Sequence, residues 1–278
     1  MTKFFVTGGS GFIGSEVVDE LLSHGHEVLA LARSDKSAEQ LKKKGAQVLR
    51  GTIEDLDILK TGAKETDATK AIANVLEGTG KLFIWTSGLG GLPTPIGIQS
   101  TEDDKPDVDS APKDVKQRLE TEHYVLDASK RNIKTIVIRL SPIVHGENDH
   151  AFIPFLTKGA KDNGAALYND EGKSTWPAIH KKDAGVLYRL AAEKGQAGKA
   201  YHGAAESGID SKLIAEAIGK KVNVGAKSTN IGDLGAKLGF IGIFFGTNIN
   251  SSSEKTRKEL GWEPKQLGLL EDIEKNYQ

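Results

Sequence analysis

Short apolar runs alternate with helical stripes through the first half of the chain. KFFVT (3–7), HEVLALA (26–32), QVLR (47–50), KLFIWTS (81–87) and TIVIRL (135–140) are almost continuously apolar, the pattern of strands buried on both faces of a sheet. Between the first two, Ile13, Val17, Val18, Leu21 and Leu22 recur at helical spacing, and Gly25 is placed to close the helix. A further helix is predicted from Pro112 to about Lys130. Pro112 suits its first turn, and Val115, Leu119, Leu126 and Ser129 share one face. The segment 88–111, rich in Gly, Pro and Asp, is a long loop, either ordered near a site or mobile. Alternating strands and helices give an α/β chain with a doubly wound parallel sheet.

After residue 140 the pattern loosens. HGENDHAFIPFL, LYNDEGKSTWPAIH and the stretch 221–262 suit a smaller lobe assembled from insertions. The predicted division is a nucleotide-binding domain from 1–142 and 181–205, and a smaller substrate-binding lobe from 143–180 and 206–278. One irregularity stands out. Between GAKETD (62–67) and KLFIWTS there is only ATKAIANVLEGTG, a helix-like run. A doubly wound sheet needs a strand there, beside the first one.

Composition narrows the class. The 278 residues carry a formal net charge of −1, with no basic stripe for nucleic acid and no acidic tail. Cys is absent, so there is no disulfide framework, thiolate zinc site or Cys nucleophile. The chain passes from Met1 directly into a strand-like run, and its longest apolar stretch, FIGIFFG (240–246), is too short for a bilayer. A soluble, cytoplasmic protein is expected, with no membrane partner.

The strongest chemical signal is TGGSGFIG at 7–14, after a strand and before an amphipathic helix. Gly8 permits a sharp turn, Gly11 lets a pyrophosphate approach the backbone, and Gly14 lets the helix lie close to the strand. The helix N-terminus offers unpaired N–H groups and partial positive charge to phosphate. Thr7, Gly8, Gly11, Phe12, Ile13 and Gly14 are therefore candidate cofactor contacts. The second strand ends LALARSD, with Arg33 and Ser34 where a carboxylate would hold the ribose of NAD. A guanidinium and a hydroxyl suit a 2′-phosphate, so NADP(H) is expected ahead of NAD(H). The plainer reading makes Arg33 a solvated arginine and Ser34 or Asp35 a helix N-cap.

With these residues in view, the chain resembles the short-chain dehydrogenase/reductase superfamily in its extended form. It is most similar to atypical, epimerase/dehydratase-like and NmrA-like members. The resemblance rests on TGGSGFIG, WTSG (85–88), RLETE (118–122), RLSPIVHG (139–146), WPAIHKKDAG (176–185) and RKELGWEP (257–264), nearly end to end. It implies a Rossmann domain with a C-terminal substrate lobe and a nicotinamide between them. It places Thr86 or Ser87 at the substrate-polarising position, Ser87 as a catalytic candidate and Thr86 beside the cofactor. Pro142, Ile143 and Val144 would line the nicotinamide.

Two departures limit the transfer. The family's tyrosine and lysine would fall on Asp114 and Arg118. Arg118 can still reach ribose hydroxyls, while Asp114 is better explained as its ion-pair partner at i+4 than as an acid. Tyr124 and Lys130, six apart, lie on different helix faces. The second departure is the strand missing where Asp67 meets Ala68: either the sheet closes over the gap or a segment is missing from the chain.

Replacement acids come from His145, the leading catalytic candidate, from His150 and from His180. His150 and Trp176 are candidate substrate contacts, and Tyr168 lies in the same lobe. His145 can equally cap a turn, His180 be structural and Trp176 be core. No metal is expected, because His145, Asp149 and His150 match no helical zinc pair, and Ser87 is in no nucleophile elbow. The expected function is an NADP(H)-dependent oxidoreductase acting on a small carbonyl or alcohol. The alternatives are a non-catalytic NADP(H) redox sensor and, last, a nucleotide-sugar epimerase or dehydratase. The helix at 112–130 is a candidate homodimer face.

Overall fold

The computed structural model describes residues 1–52 and 65–277. The N-terminal part runs β1 (Lys3–Val6), α1 (Phe12–Ser23), β2 (Glu27–Ala32), α2 (Asp35–Lys44) and β3 (Gln47–Arg50). It continues with α3 (Glu65–Leu76), β4 (Leu82–Gly88), α4 (Lys113–Ala128) and β5 (Lys134–Leu140). Next come β6 (Ile143–His145), α5 (Phe152–Asn163), β7 (Ala165–Asn169), β8 (Thr175–His180), α6 (Lys181–Lys194) and β9 (Lys199–Gly203). The chain closes with β10 (Glu206–Asp210), α7 (Ser211–Lys221), β11 (Gly225–Thr229), α8 (Ile231–Phe245), α9 (Glu254–Leu260) and α10 (Leu269–Asn276).

The local signals explain most boundaries. Gly25, in the left-handed region at φ 78°, follows the last turn of α1 and donates its N–H to the Leu22 carbonyl, as a residue just past a helix end does. Helix α2 starts on Ser34, whose Oγ accepts from Ser37 N at 3.2 Å, and stops at left-handed Gly45. Pro112 stands one residue before α4 as its N-cap rather than inside its first turn.

Two parallel three-stranded sheets have the orders β1-β2-β3 and β4-β5-β9. Doubly wound topology puts β1 and β4 on either side of one more strand. Among the described residues no hydrogen-bonded ladder joins them. This corrects the expectation that the first strands are buried on both faces: Phe5 is 49% exposed, and no residue of β1 is fully buried. In contrast, β5 has neighbours on both sides and is buried from Thr135 to Leu140.

Helices α1 and α6 hold the halves together. Ile13 and Tyr188 each pack against both the cluster under β2 (Val18, Val28, Ala30, Leu41) and the one under β5 (Ile136, Ile138, Leu187, Tyr201). Gly185 permits this closeness, since a Cβ there would lie 3.0 Å from the Glu16 carbonyl oxygen.

The remaining strands build a second layer, with β8 between antiparallel β10 and parallel β6, and β7 paired to β11. Trp176, Ile209, Ile214, Leu234 and Phe245 fill its core. The loop 88–111 is ordered: Leu89–Gly91 form a 3-10 turn, and Ser100 bridges to Ser251. Among the described residues no helix is long and apolar enough to cross a membrane.

Candidate active site: a phosphate cradle

The turn after β1 has the geometry a diphosphate needs. Gly8 adopts φ 69°, and the Gly11 N–H donates to the Gly8 carbonyl at 2.9 Å. A Cβ on Gly14 would stand 2.1 Å from that carbonyl oxygen, so only glycine allows the helix to start so close to the strand. Helix α1 begins on Gly11 with no side-chain cap and no acidic residue in its first turn. Its leading N–H groups and dipole are thus left to a bound anion. Thr7, Gly8 and Gly11 are exposed, while Phe12, Ile13 and Gly14 are half-buried. An exposed, uncapped helix start, drawn so close to the turn that Gly14 has no room for a β-carbon, fits the diphosphate of a dinucleotide.

Two further cationic or aromatic groups gather at its rim. The His150 ring meets Phe12 edge-on at 5.6 Å, and Lys181 Nζ lies 5.4 Å from the centre of the Phe12 ring while pairing with Glu16 at 2.9 Å. At the tip of β2, Arg33 is exposed and bonds no described residue. Arg50, at the end of β3, pairs with Asp35 at 3.0 Å and brings a second guanidinium to this end of the half-sheet. The Ser34 hydroxyl is occupied in capping α2.

At the end of β4, strand alternation separates two neighbouring hydroxyls. Ser87 is 2% exposed and donates to Glu122 at 2.5 Å. Glu122 in turn accepts from Arg139 Nε at 2.8 Å, and Arg139 Nη1 donates to the Asp104 carbonyl at 2.9 Å and to His202 Nε2 at 3.1 Å. His202 Nδ1 donates to the Ser252 carbonyl and its Nε2 accepts from the guanidinium, which can only donate, so its ring is neutral. Burial, then the Arg139 charge, press its pKa down to about 3. Thr86 points to the other face, where its Oγ1 lies 2.6 Å from the Tyr188 hydroxyl. Desolvation pushes Tyr188 up to about 12, so it keeps its proton at neutral pH. Arg118 donates to the Thr86 carbonyl at 3.0 Å and stacks on Trp85. The side chain of Asp114, its expected ion-pair partner, lies outside the described residues.

The other sequence candidates scatter. His145 is 1% exposed, and its Nδ1–H donates to buried Asp272 at 2.7 Å. Its ring meets His180 edge-on at 5.3 Å, and His180 Nδ1 accepts from Lys182 N to cap α6. Burial, then the neighbouring His145, lower the pKa of His180. Trp176 is fully buried in the lobe core, donating to the Thr247 carbonyl, and Tyr168 packs at the edge of that core. Ile143 is buried, while Pro142 and Val144 are half-buried. Sequence reasoning passed over Tyr188, Lys181 and Glu122. Tyr188 and Lys181 lie seven residues apart on α6, two turns of helix, which is the one pattern that could have marked them as sharing a face.

Known proteins fit this geometry. The NmrA-like family model matches residues 2–101. An uncharacterized protein of Saccharomyces cerevisiae is 40% identical over 301 aligned positions, covering 99% of this chain and 99% of the relative. The aligned length exceeds the 278 residues here, so that relative carries at least 23 residues that this chain lacks (301 against 278). A sterol-4-alpha-carboxylate 3-dehydrogenase, decarboxylating, of Dictyostelium discoideum is 29% identical over 70% of this chain and 69% of its own. The solved dTDP-glucose 4,6-dehydratase of Bacillus anthracis in complex with NAD shares the fold, with a TM-score of 0.74 at 16% identity, covering 100% of this chain and 95% of that one. The chain therefore belongs to the family of the yeast protein, and its residues 2–101 match the NmrA-like family model.

Proposed function

We propose that the chain is an NADP(H)-dependent oxidoreductase acting on a small carbonyl compound or alcohol. One observation carries this reading: an uncapped helix N-terminus set against a glycine turn so closely that Gly14 has no room for a β-carbon, with exposed Arg33 at the neighbouring strand tip. The backbone of residues 8–14 would hold the diphosphate, and Arg33, with Arg50 beside it, the 2′-phosphate. When bound, the nicotinamide supplies hydride. The Thr86 hydroxyl, held by Tyr188, is the described polar group at the end of β4 that is free to orient a carbonyl and share a proton with it. Ser87 and His145 do not take that role in this reading, because each is buried against a carboxylate. The relative from Dictyostelium, a dehydrogenase by name, supports the class of reaction.

The same burial of Ser87 and His145 favours a second reading, a redox sensor that binds NADP(H) without turnover. Oxidation of NADPH against a panel of small aldehydes and ketones separates the two. The enzyme reading expects turnover that falls at least tenfold in Tyr188→Phe while NADPH affinity is kept. Absence of turnover, with unequal affinity for NADPH and NADP, would give the protein to the sensor reading.

A further inference from the structure

Resting on the oxidoreductase reading above, we propose that the substrate carries a flat, apolar ring, and that the stacked side chains of Phe240 and Phe244 are the surface on which that ring lies.

Phe244 stands at the turn after β4. That strand carries Thr86 and ends at Gly88, and the chain then turns through Leu89–Gly91. A Cβ on Gly90 would stand 2.7 Å from Phe244 Cζ, so the phenyl ring lies directly on the backbone of this turn. Thr86 and Gly90 are four residues apart, which keeps their backbones within about 14 Å of each other even on a fully extended chain. A substituent on a carbonyl held at Thr86 has only that gap to cross before it meets the ring.

The same rings connect to the cradle. Phe244 lies 5.9 Å from Phe152, which opens α5 two residues after His150. The His150 ring in turn meets Phe12 at the start of α1. Phe152 is also edge-on to fully buried Trp176 at 5.1 Å, which anchors it on the lobe core. One run of aromatic side chains thus reaches from the rim of the cradle to the turn after β4, the two ends of the site described above.

Helix α8 gives this surface its form. It is folded at Gly239, with φ 61° and ψ −147°, and its second limb doubles back so closely that a Cβ on Gly242 would stand 2.3 Å from the Leu234 carbonyl oxygen. On that limb Phe240 and Phe244 are one turn apart and share a face. Their rings are nearly parallel, 9° apart, with centroids at 5.8 Å. Phe244 is half-buried, whereas Phe240 is 64% exposed and Ile243, on the same limb, 54%. A ring this exposed buries little for the lobe. A stacked pair does present a flat face, on which a further ring can lie with the offset that aromatic groups prefer. Phe152, Phe240, Ile243 and Phe244 offer hydrocarbon alone. The hydroxyls of a sugar would find no partner on them, and an aryl group needs none.

Binding rather than turnover is the test. Acetophenone and butanone are titrated calorimetrically into the intact chain, with NADP present so that no hydride is available, and again without it. Acetophenone should bind at least about tenfold more tightly than butanone, because of the apolar area of its ring. Phe240→Ser, at an exposed position, should bring the two ketones within about twofold of each other with the melting temperature kept. Phe240→Trp, which retains a ring, should restore the preference. Equal affinity for the two ketones, binding of neither, or a preference that survives in Phe240→Ser would overturn the proposal. So would a dimer in sedimentation that Phe240→Ser splits while ketone binding stays the same, since the rings would then belong to a second copy. NADPH titration and NADPH oxidation on the same samples report the cofactor and the reaction separately. A chain that binds acetophenone through Phe240 and turns nothing over would support the ring surface and overturn the reaction.

Discussion

Strands β1 and β5 carry similarly apolar sequences and end in different surroundings. KFFV leaves Phe5 half in solvent, while TIVIRL is buried throughout. The difference lies in the neighbours, for β5 is flanked by β4 and β9, whereas among the described residues β1 pairs with β2 alone. Apolar composition states what a strand can bury, and sheet order decides what it does bury. The same contrast divides the site. The cradle after β1 needs only its own turn and helix and is complete. Chemistry at the end of β4 draws on groups from α4 and α6, and there Asp114 and Arg118 stand where the resemblance expects tyrosine and lysine.

Four perturbations probe this contrast. The largest effect is expected at the buried pair beneath β4 and β5. Glu122 and Arg139 are both under 2% exposed, so Glu122→Ala leaves an uncompensated guanidinium and should cost about 3–5 kcal/mol in urea unfolding. Next, Ile138→Ala in fully buried β5 should cost about 2–5 kcal/mol, whereas Phe5→Ala in β1 should cost under about 1 kcal/mol. Equal losses would mean that β1 is packed as a central strand.

The third concerns pH. His202 is held neutral, with its folded pKa near 3 against 6.5 for the free group. The unfolded chain therefore takes up the proton first as pH falls. The stabilising contribution is complete above pH 6.5 and is lost on acidification by roughly 1.4 kcal/mol per pH unit, down to about pH 3. His202→Asn should flatten that part of the stability profile. The smallest effect belongs to the cofactor tip, where Arg33→Ala should weaken NADPH about tenfold, roughly 1.4 kcal/mol, and leave NADH nearly unchanged.

Much of the fold was legible in the residues. Continuous apolar runs placed β1 to β5 within a residue or two, and the glycine spacing located the cradle because each glycine answers a steric demand that the backbone then shows. The candidate site was harder. Between Thr86 and Ser87 the hydroxyl facing Tyr188 was ambiguous, because the phase of a strand decides it and a one-residue shift reverses the answer. His145 follows the cofactor-lining segment in sequence, yet its ring turns toward α10, whose Asp272 lies 127 residues away. Tyr188 carried no motif at all, and only the docking of α6 against both cores brings it to Thr86.

The central claim is that the backbone after β1 grips a dinucleotide diphosphate and that Arg33 selects its phosphorylated form. Calorimetric titration of the purified chain with NADPH and with NADH, beside Gly14→Ala as the blocked cradle, tests it most directly. The account predicts one NADPH bound per chain, more tightly than NADH, and loss of both in Gly14→Ala. No heat with either nucleotide, or unchanged binding by the glycine variant, would contradict it.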